Sequence, residues 1–156
     1  MKHFLNEFQE RLILSRWQEW DFHVKNSERF AIYRTFCTVH DRKSYLKMNL
    51  DKHLKFIMTR FRCGISEIAV HHFRYKKHSR VDLICPLCKN GIEDEVHFVF
   101  CCPILINLRK QYIPVKYYRY PCQFRFSLLL SSRNENIVRN LSIYTYKALK
   151  LRSIMT

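Results

Sequence analysis

The chain has 156 residues, 47% of them hydrophobic and 15% aromatic, with 28 Lys and Arg against 13 Asp and Glu for a formal net charge of +15. That composition is globular and not that of a disordered chain. Its two glycines, Gly64 and Gly91, exclude glycine-rich phosphate cradles and argue against an all-β fold of tight hairpins.

A positive excess of this size repels itself in a compact state. It points to a polyanionic partner, nucleic acid first and an anionic membrane surface second. The length fits one domain spanning residues 1–156. No apolar run approaches the roughly 18 residues of a membrane-spanning helix. The start, MKHFLNEFQER, turns acidic and polar too soon for a signal peptide. An intracellular, reducing compartment, nucleus or cytoplasm, is therefore expected. There the seven cysteines are thiols or metal ligands and not a disulfide framework.

Residues 3–63 read as an N-terminal helical part. Leu5, Phe8 and Leu12 fall at helical spacing and predict a helix over 3–20, with Trp17 and Trp20 extending its apolar surface into the core. Base stacking is the other reading of the tryptophans. Ser27 and Glu28 open a second helix through Phe30, Ile32 and Tyr33, while Phe36, Cys37 and Val39 alternate like a short strand. Arg42 to Lys47 suit one or two further helical turns.

The clearest amphipathic helix covers 51–63. Asp51 is its N-cap, Leu54, Ile57, Met58 and Phe61 its buried stripe, and Gly64 its stop. Lys52, Lys55 and Arg62 are read as its opposite face, either solvated or facing phosphate. Ile65, Ile68, Val70 and Phe73 then anchor a segment dense in cations and rings: His71, His72, Arg74, Tyr75, Lys76, Lys77, His78 and Arg80. Cations interleaved with aromatics suit phosphates and unstacked bases.

Residues 82–103, DLICPLCKNGIEDEVHFVFCCP, carry the chemistry. Cys85 and Cys88 form a C-x-x-C turn, Gly91 tolerates positive φ where the chain reverses, and His97 with a later cysteine follows on a short helix. This is the ligand type and spacing of one structural zinc in a Cys3His tetrahedron, with no open position for catalysis. The fourth ligand has two candidates. Cys101 is four residues from His97 and shares its face on a regular helix. Cys102 precedes Pro103, which pushes it out of helical φ/ψ and lets it turn back to the metal. Glu93, Asp94 and Glu95 suit the positive end of the helix that follows.

Residues 103–156 read as a C-terminal helical part. Pro103 suits the first turn of a helix to about Tyr112, with Ile104, Leu105 and Leu108 buried and Arg109 and Lys110 exposed. Pro114 to Pro121 is a loop in which Lys116 and Arg119 mix with Tyr117, Tyr118 and Tyr120. Phe124, Phe126 and Leu128 to Leu130 return to the core. A last helix runs from Asn134 to about Arg152, with Ile137, Leu141, Tyr144 and Ala148 on one face. The expected fold is mostly α: a small helical domain around a Cys3His zinc finger, with at most short strands.

The finger resembles the zinc-binding region that follows the reverse transcriptase domain in non-LTR, LINE-like or jockey-like retrotransposon proteins. That pattern is C-P-x-C, a short loop, G-x-E-D-E-x-H, an apolar run and C-P. Here it stands as Cys85-Pro86-Leu87-Cys88, Gly91-Ile92-Glu93-Asp94-Glu95-Val96-His97, Phe98-Val99-Phe100 and Cys102-Pro103. Ser44-Tyr45-Leu46, Met58 to Gly64, Arg80 and Leu108-Arg109 are similar to its flanks, so the resemblance covers roughly residues 30–112. It implies Cys102 as the fourth ligand, binding of template RNA or target DNA, and an upstream polymerase domain as a partner in a parent polyprotein.

Polymerase chemistry is not expected from this chain. Two-metal catalysis needs clustered carboxylates, and the five aspartates, Asp21, Asp41, Asp51, Asp82 and Asp94, are scattered. No Gly-x-Ser-x-Gly elbow is present. The expected function is a non-catalytic, zinc-binding nucleic-acid module, with Arg74, Tyr75, Lys76, Lys77, Arg80, Lys116 and Arg119 as the contact residues. A zinc-braced protein-interaction module and a retroelement relic are the alternatives.

Overall fold

The computed structural model describes residues 2–37, 44–74, 76–77 and 79–155. Val39, Arg42, Tyr75 and His78 lie outside the described residues, as does the side chain of Leu5. The described residues are mostly helical, and the only extended pairing among them is an isolated antiparallel bridge between Ile84 and Ile92.

The first helix, α1, runs Lys2–Asn26, further than its apolar spacing predicts. It packs on α2, Ala31–Phe36, after a 3-10 turn at Glu28–Phe30. Phe36 is therefore helical and not the start of a strand. Trp17 was expected in the core but is 42% exposed, together with Phe8, Leu12, Ile13, Leu14 and Phe22. These apolar residues are spread around α1 and do not form one stripe that a single neighbour could cover.

α3, Ser44–Lys47, leads into α4, Lys52–Arg62. The Asp51 carboxylate accepts from the His53 N–H at 2.8 Å and the Leu54 N–H at 3.4 Å, satisfying two orphan donors. Gly64, at φ 66°, ends α4: its N–H donates to Phe61 O and the Ile65 N–H to Arg60 O, a Schellman pair. Ile57, Met58 and Phe61 are buried as expected. Arg62 corrects the expected solvent face. It is buried, and its guanidinium carbon lies 4.5 Å from the centroids of both Phe36 and Tyr45. The rings' negative faces attract a cation that burial has stripped of water.

α5, Ala69–Phe73, precedes the finger; α6, Ile106–Tyr112, α7, Val115–Tyr118, α8, Gln123–Leu130, and α9, Glu135–Met155, follow it. The region expected as a loop after Pro114 thus holds the short α7, with Tyr117 buried. In α8, Phe126, Leu129 and Leu130 face inward while Phe124 and Leu128 are exposed, because a helix at the surface buries only the face turned to the core. Ile104, expected in the core, is also exposed.

α9 is the spine. It packs along α4 and α6 and buries Val138, Leu141, Tyr144 and Ala148. Tyr144, fully buried, donates its hydroxyl to the Phe98 carbonyl at 2.6 Å, so the central helix is fastened to the finger. Phe61 and Phe126 stack edge-on, and Phe98 and Tyr144 do the same. The finger's own apolar run, Phe98 to Phe100, is part of this core.

Candidate metal centre

The finger begins as two short extended pieces joined by a loop. Around the Ile84–Ile92 bridge, the Cys85 N–H donates to Gly91 O at 2.9 Å and the Glu93 N–H to Leu83 O at 2.7 Å. Within the loop, the Lys89 N–H returns to Cys85 O at 2.9 Å. Lys89 and Gly91 take positive φ, 56° and 98°. At Gly91 the reason for glycine is the dihedral and not space, since an added Cβ would sit 3.7 Å from the His97 ring, an ordinary contact. The reversal leaves both sulfurs of the C-x-x-C turn facing the same side.

Asp94 opens the second half. Its carboxylate accepts from the His97 N–H at 2.7 Å, an N-cap that accounts for this one acid of the three. The helix then widens. His97–Cys101 is a π turn, and the Cys102 N–H donates to His97 O at 2.8 Å. A π turn closes one residue later than an α turn. The residue brought back over His97 is thus the fifth, Cys102, and not the fourth, Cys101. Cys102 itself is extended, φ −54° and ψ 119°, as a residue before proline prefers.

The result is a convergent donor set. The ligand atoms of Cys85, Cys88, His97 and Cys102 all lie within 4.8 Å of one another. Cys85 and Cys102 are buried and Cys88 and His97 half-buried, while Cys101 is exposed and outside the group. A zinc tetrahedron with the usual bond lengths has S···S edges of about 3.8 Å and S···N edges of about 3.5 Å. The Cys85–Cys102 sulfurs are 3.9 Å apart, and Cys88 Sγ lies 3.3 Å from His97 Nε2. Thiol hydrogen bonds account for those two pairs separately; they give no reason for all four donors to converge.

The Cys85–Cys102 hydrogen bond shifts the two thiols in opposite directions. The bond from Cys85 pulls the Cys102 thiol below its ordinary range. The same bond, with burial, pushes Cys85 up to about 11. Cys102 is thus the more readily ionised of the two; a metal held here would take both residues as thiolates.

Buried polar side chains hold the finger in place, and sequence reading missed most of them. Glu93, fully buried, accepts from the Ala69 N–H at 2.6 Å and from Arg152 Nε at 2.8 Å. Glu95 pairs with His71 Nε2, and Arg74 approaches it at 3.5 Å. His71 Nδ1 in turn accepts from the Ser66 N–H at 3.2 Å, which leaves Nε2–H as the donor to Glu95. Ser66, His71 and Glu95 thereby fasten α5 to the finger, and neither His71 nor His72 belongs to the metal group. Arg109, expected on the surface, is buried and donates to Val99 O at 2.8 Å and Cys102 O at 2.7 Å, fixing the backbone of the last ligand. The signal for these braces was an acidic triplet in an otherwise basic chain.

The expected nucleic-acid residues divide. Lys76, Lys77 and Arg80 are exposed, as are Lys116 and Arg119, which lie over the rings of Tyr117 and Tyr120 at 5.1 and 5.6 Å. Arg74 turns inward to Glu95 and to Gly64 O. Among the described residues, no helix is long and apolar enough to cross a membrane. No protein-family model, curated protein or solved structure matches the chain.

Proposed function

We propose that this chain is a zinc-braced, non-catalytic nucleic-acid-binding domain, of the kind that follows the reverse transcriptase in non-LTR retrotransposon proteins. The observation that carries the reading is the Cys3His convergence on one point. Three sulfurs and one imidazole form a donor set that selects zinc over harder cations. Bound there, zinc ties the C-x-x-C loop to the π turn and supplies folding energy. The chain's own residues orient the ligands: Asp94 sets the start of the turn, Arg109 the backbone of Cys102, and Glu93 and Glu95 the docking of the finger on α5 and α9.

The +15 charge supports nucleic acid as partner, and the exposed Lys76, Lys77, Arg80, Lys116 and Arg119 are the candidates for phosphate contacts. The test is fluorescence anisotropy of the zinc-loaded chain against labelled single-stranded and duplex oligonucleotides over a range of salt. Affinity should fall linearly on a log–log plot, by about 0.7 per contact for single strands and 0.9 for duplex. Absence of salt-dependent binding to either would remove the reading.

One observation favours a second role, a zinc-braced protein-interaction module. α1 exposes Phe8, Leu12, Ile13, Leu14, Trp17 and Phe22. They are spread around the helix, so a partner would have to enclose α1 and not lie along one stripe of it.

A further inference from the structure

A cavity of about 300 Å³ lies between α4 and α9. Its walls include His53, Phe56 and Arg60 from α4, Glu67 from the loop that follows, and Tyr146 and Lys150 from α9. Three features narrow what fits it. The volume is at the small end of ligand sites, enough for a ring system and too little for a helix. The walls are aromatic on both sides: Phe56 is 57% exposed and Tyr146 37%, with the His53 ring edge-on to Tyr146 at 5.3 Å. The charged groups are two cations, Arg60 and Lys150, and one carboxylate, Glu67.

Exposed rings cost hydration, and they are commonly kept where a flat partner stacks on them. The cations suit the phosphates attached to such a partner, and the Arg60 guanidinium already lies over the Phe56 ring at 5.6 Å. The carboxylate suits an exocyclic amino group. We propose that this cavity seats one unstacked base of a single-stranded nucleic acid, with Phe56 and Tyr146 as stacking surfaces and Arg60 and Lys150 at the flanking phosphates. The inference rests on the nucleic-acid reading above and adds to it a location and a preference for single strands. A paired base is stacked within its helix and cannot enter.

The experiment uses the full zinc-loaded chain, a fluorescein-labelled 12-nucleotide oligocytidylate, whose bases carry an exocyclic amino group, and a labelled duplex RNA of equal length. Phe56→Ala and Tyr146→Ala should each weaken single-strand binding about 5- to 150-fold, with the salt slope unchanged. Tyr146→Phe, which keeps the ring, should bind as the wild type does. Lys150→Gln should make the slope shallower by about 0.7. Zinc content and far-UV circular dichroism report that each variant is folded. Salt-dependent binding by the wild type with unchanged affinity in both ring variants overturns the cavity and leaves the nucleic-acid reading standing. Equal loss on the duplex overturns it too, since stacking in the cavity requires a free base. Displacement of the oligocytidylate by an equal charge of oligoglutamate means that charge alone is read, which also overturns it. No binding by the wild type to either RNA removes both readings.

Discussion

Arg152, in the last turns of α9, reaches the fully buried Glu93 of the finger, with Nε 2.8 Å from one carboxylate oxygen and 3.1 Å from the other. The two residues are far apart in sequence, and the pair joins the end of the chain to the start of the metal-binding turn. A carboxylate taken wholly out of water needs such a partner. Arg152→Ala leaves Glu93 with the Ala69 N–H and an unneutralised charge. The expected loss is about 3 kcal/mol, at the low end for a broken buried pair because Arg152 keeps some exposure. Urea unfolding of the zinc-loaded chain measures it, and Arg152→Lys should recover part of the loss.

The π turn decides between neighbouring cysteines. Cys102→Ala should release the metal, because its sulfur is one of the four convergent donors. Cys101→Ala should retain it, because that side chain is exposed. Metal analysis of both proteins after gel filtration distinguishes them. The opposite pattern would mean that the turn winds as a regular α-helix.

Stability should fall on the alkaline side. Burial raises the Tyr144 hydroxyl above its ordinary value, and its bond to Phe98 O requires the proton. Above about pH 10 the unfolded chain loses that proton while the folded chain holds it, so unfolding becomes more favourable as pH rises. Below that range the contribution is complete. Tyr45 is raised by burial as well and acts in the same direction. Tyr144→Phe should cost roughly 1 kcal/mol at neutral pH for the lost hydrogen bond. Its stability should also decline less steeply between pH 10 and 12 than that of the wild type.

The basic segment after α5 needs a selective test. Arg74 braces Glu95, so its removal disturbs the finger as well as the charge. Lys76→Ala, Lys77→Ala and Arg80→Ala together change only exposed side chains. If all three meet phosphate, the salt slope for single strands should become shallower by about two units. Zinc content and helicity should not change. An unaltered slope places the phosphate contacts elsewhere on the surface.

Much of this was legible from local pattern. Asp51, the apolar stripe of α4 and Gly64 identify a helix from start to stop because capping and periodicity are short-range. The C-x-x-C turn and His97 were likewise readable, since ligand type and spacing carry the chemistry; spacing alone left Cys101 and Cys102 both open, and the π turn brings Cys102 in. What escaped is what depends on distant partners. Arg62 and Arg109 looked like surface cations because their sequence neighbours cannot reveal two rings or two carbonyls waiting for them. Glu93 looked like a helix-start acid, and its partner Arg152 lies on another element. The tryptophan-bearing helix failed in the other direction. Apolar residues were assigned to a core, but α1 has too few neighbours to cover them.

The most direct measurement is metal content joined to chelator unfolding. The purified chain should hold one zinc per molecule. Removing it with a strong chelator should unfold the finger and the core that shares Phe98 to Phe100. Structural zinc supplies on the order of 10–16 kcal/mol, against roughly 5–15 kcal/mol of net stability for a domain. A zinc-free chain with full native helicity and an unchanged sharp melt would contradict the account.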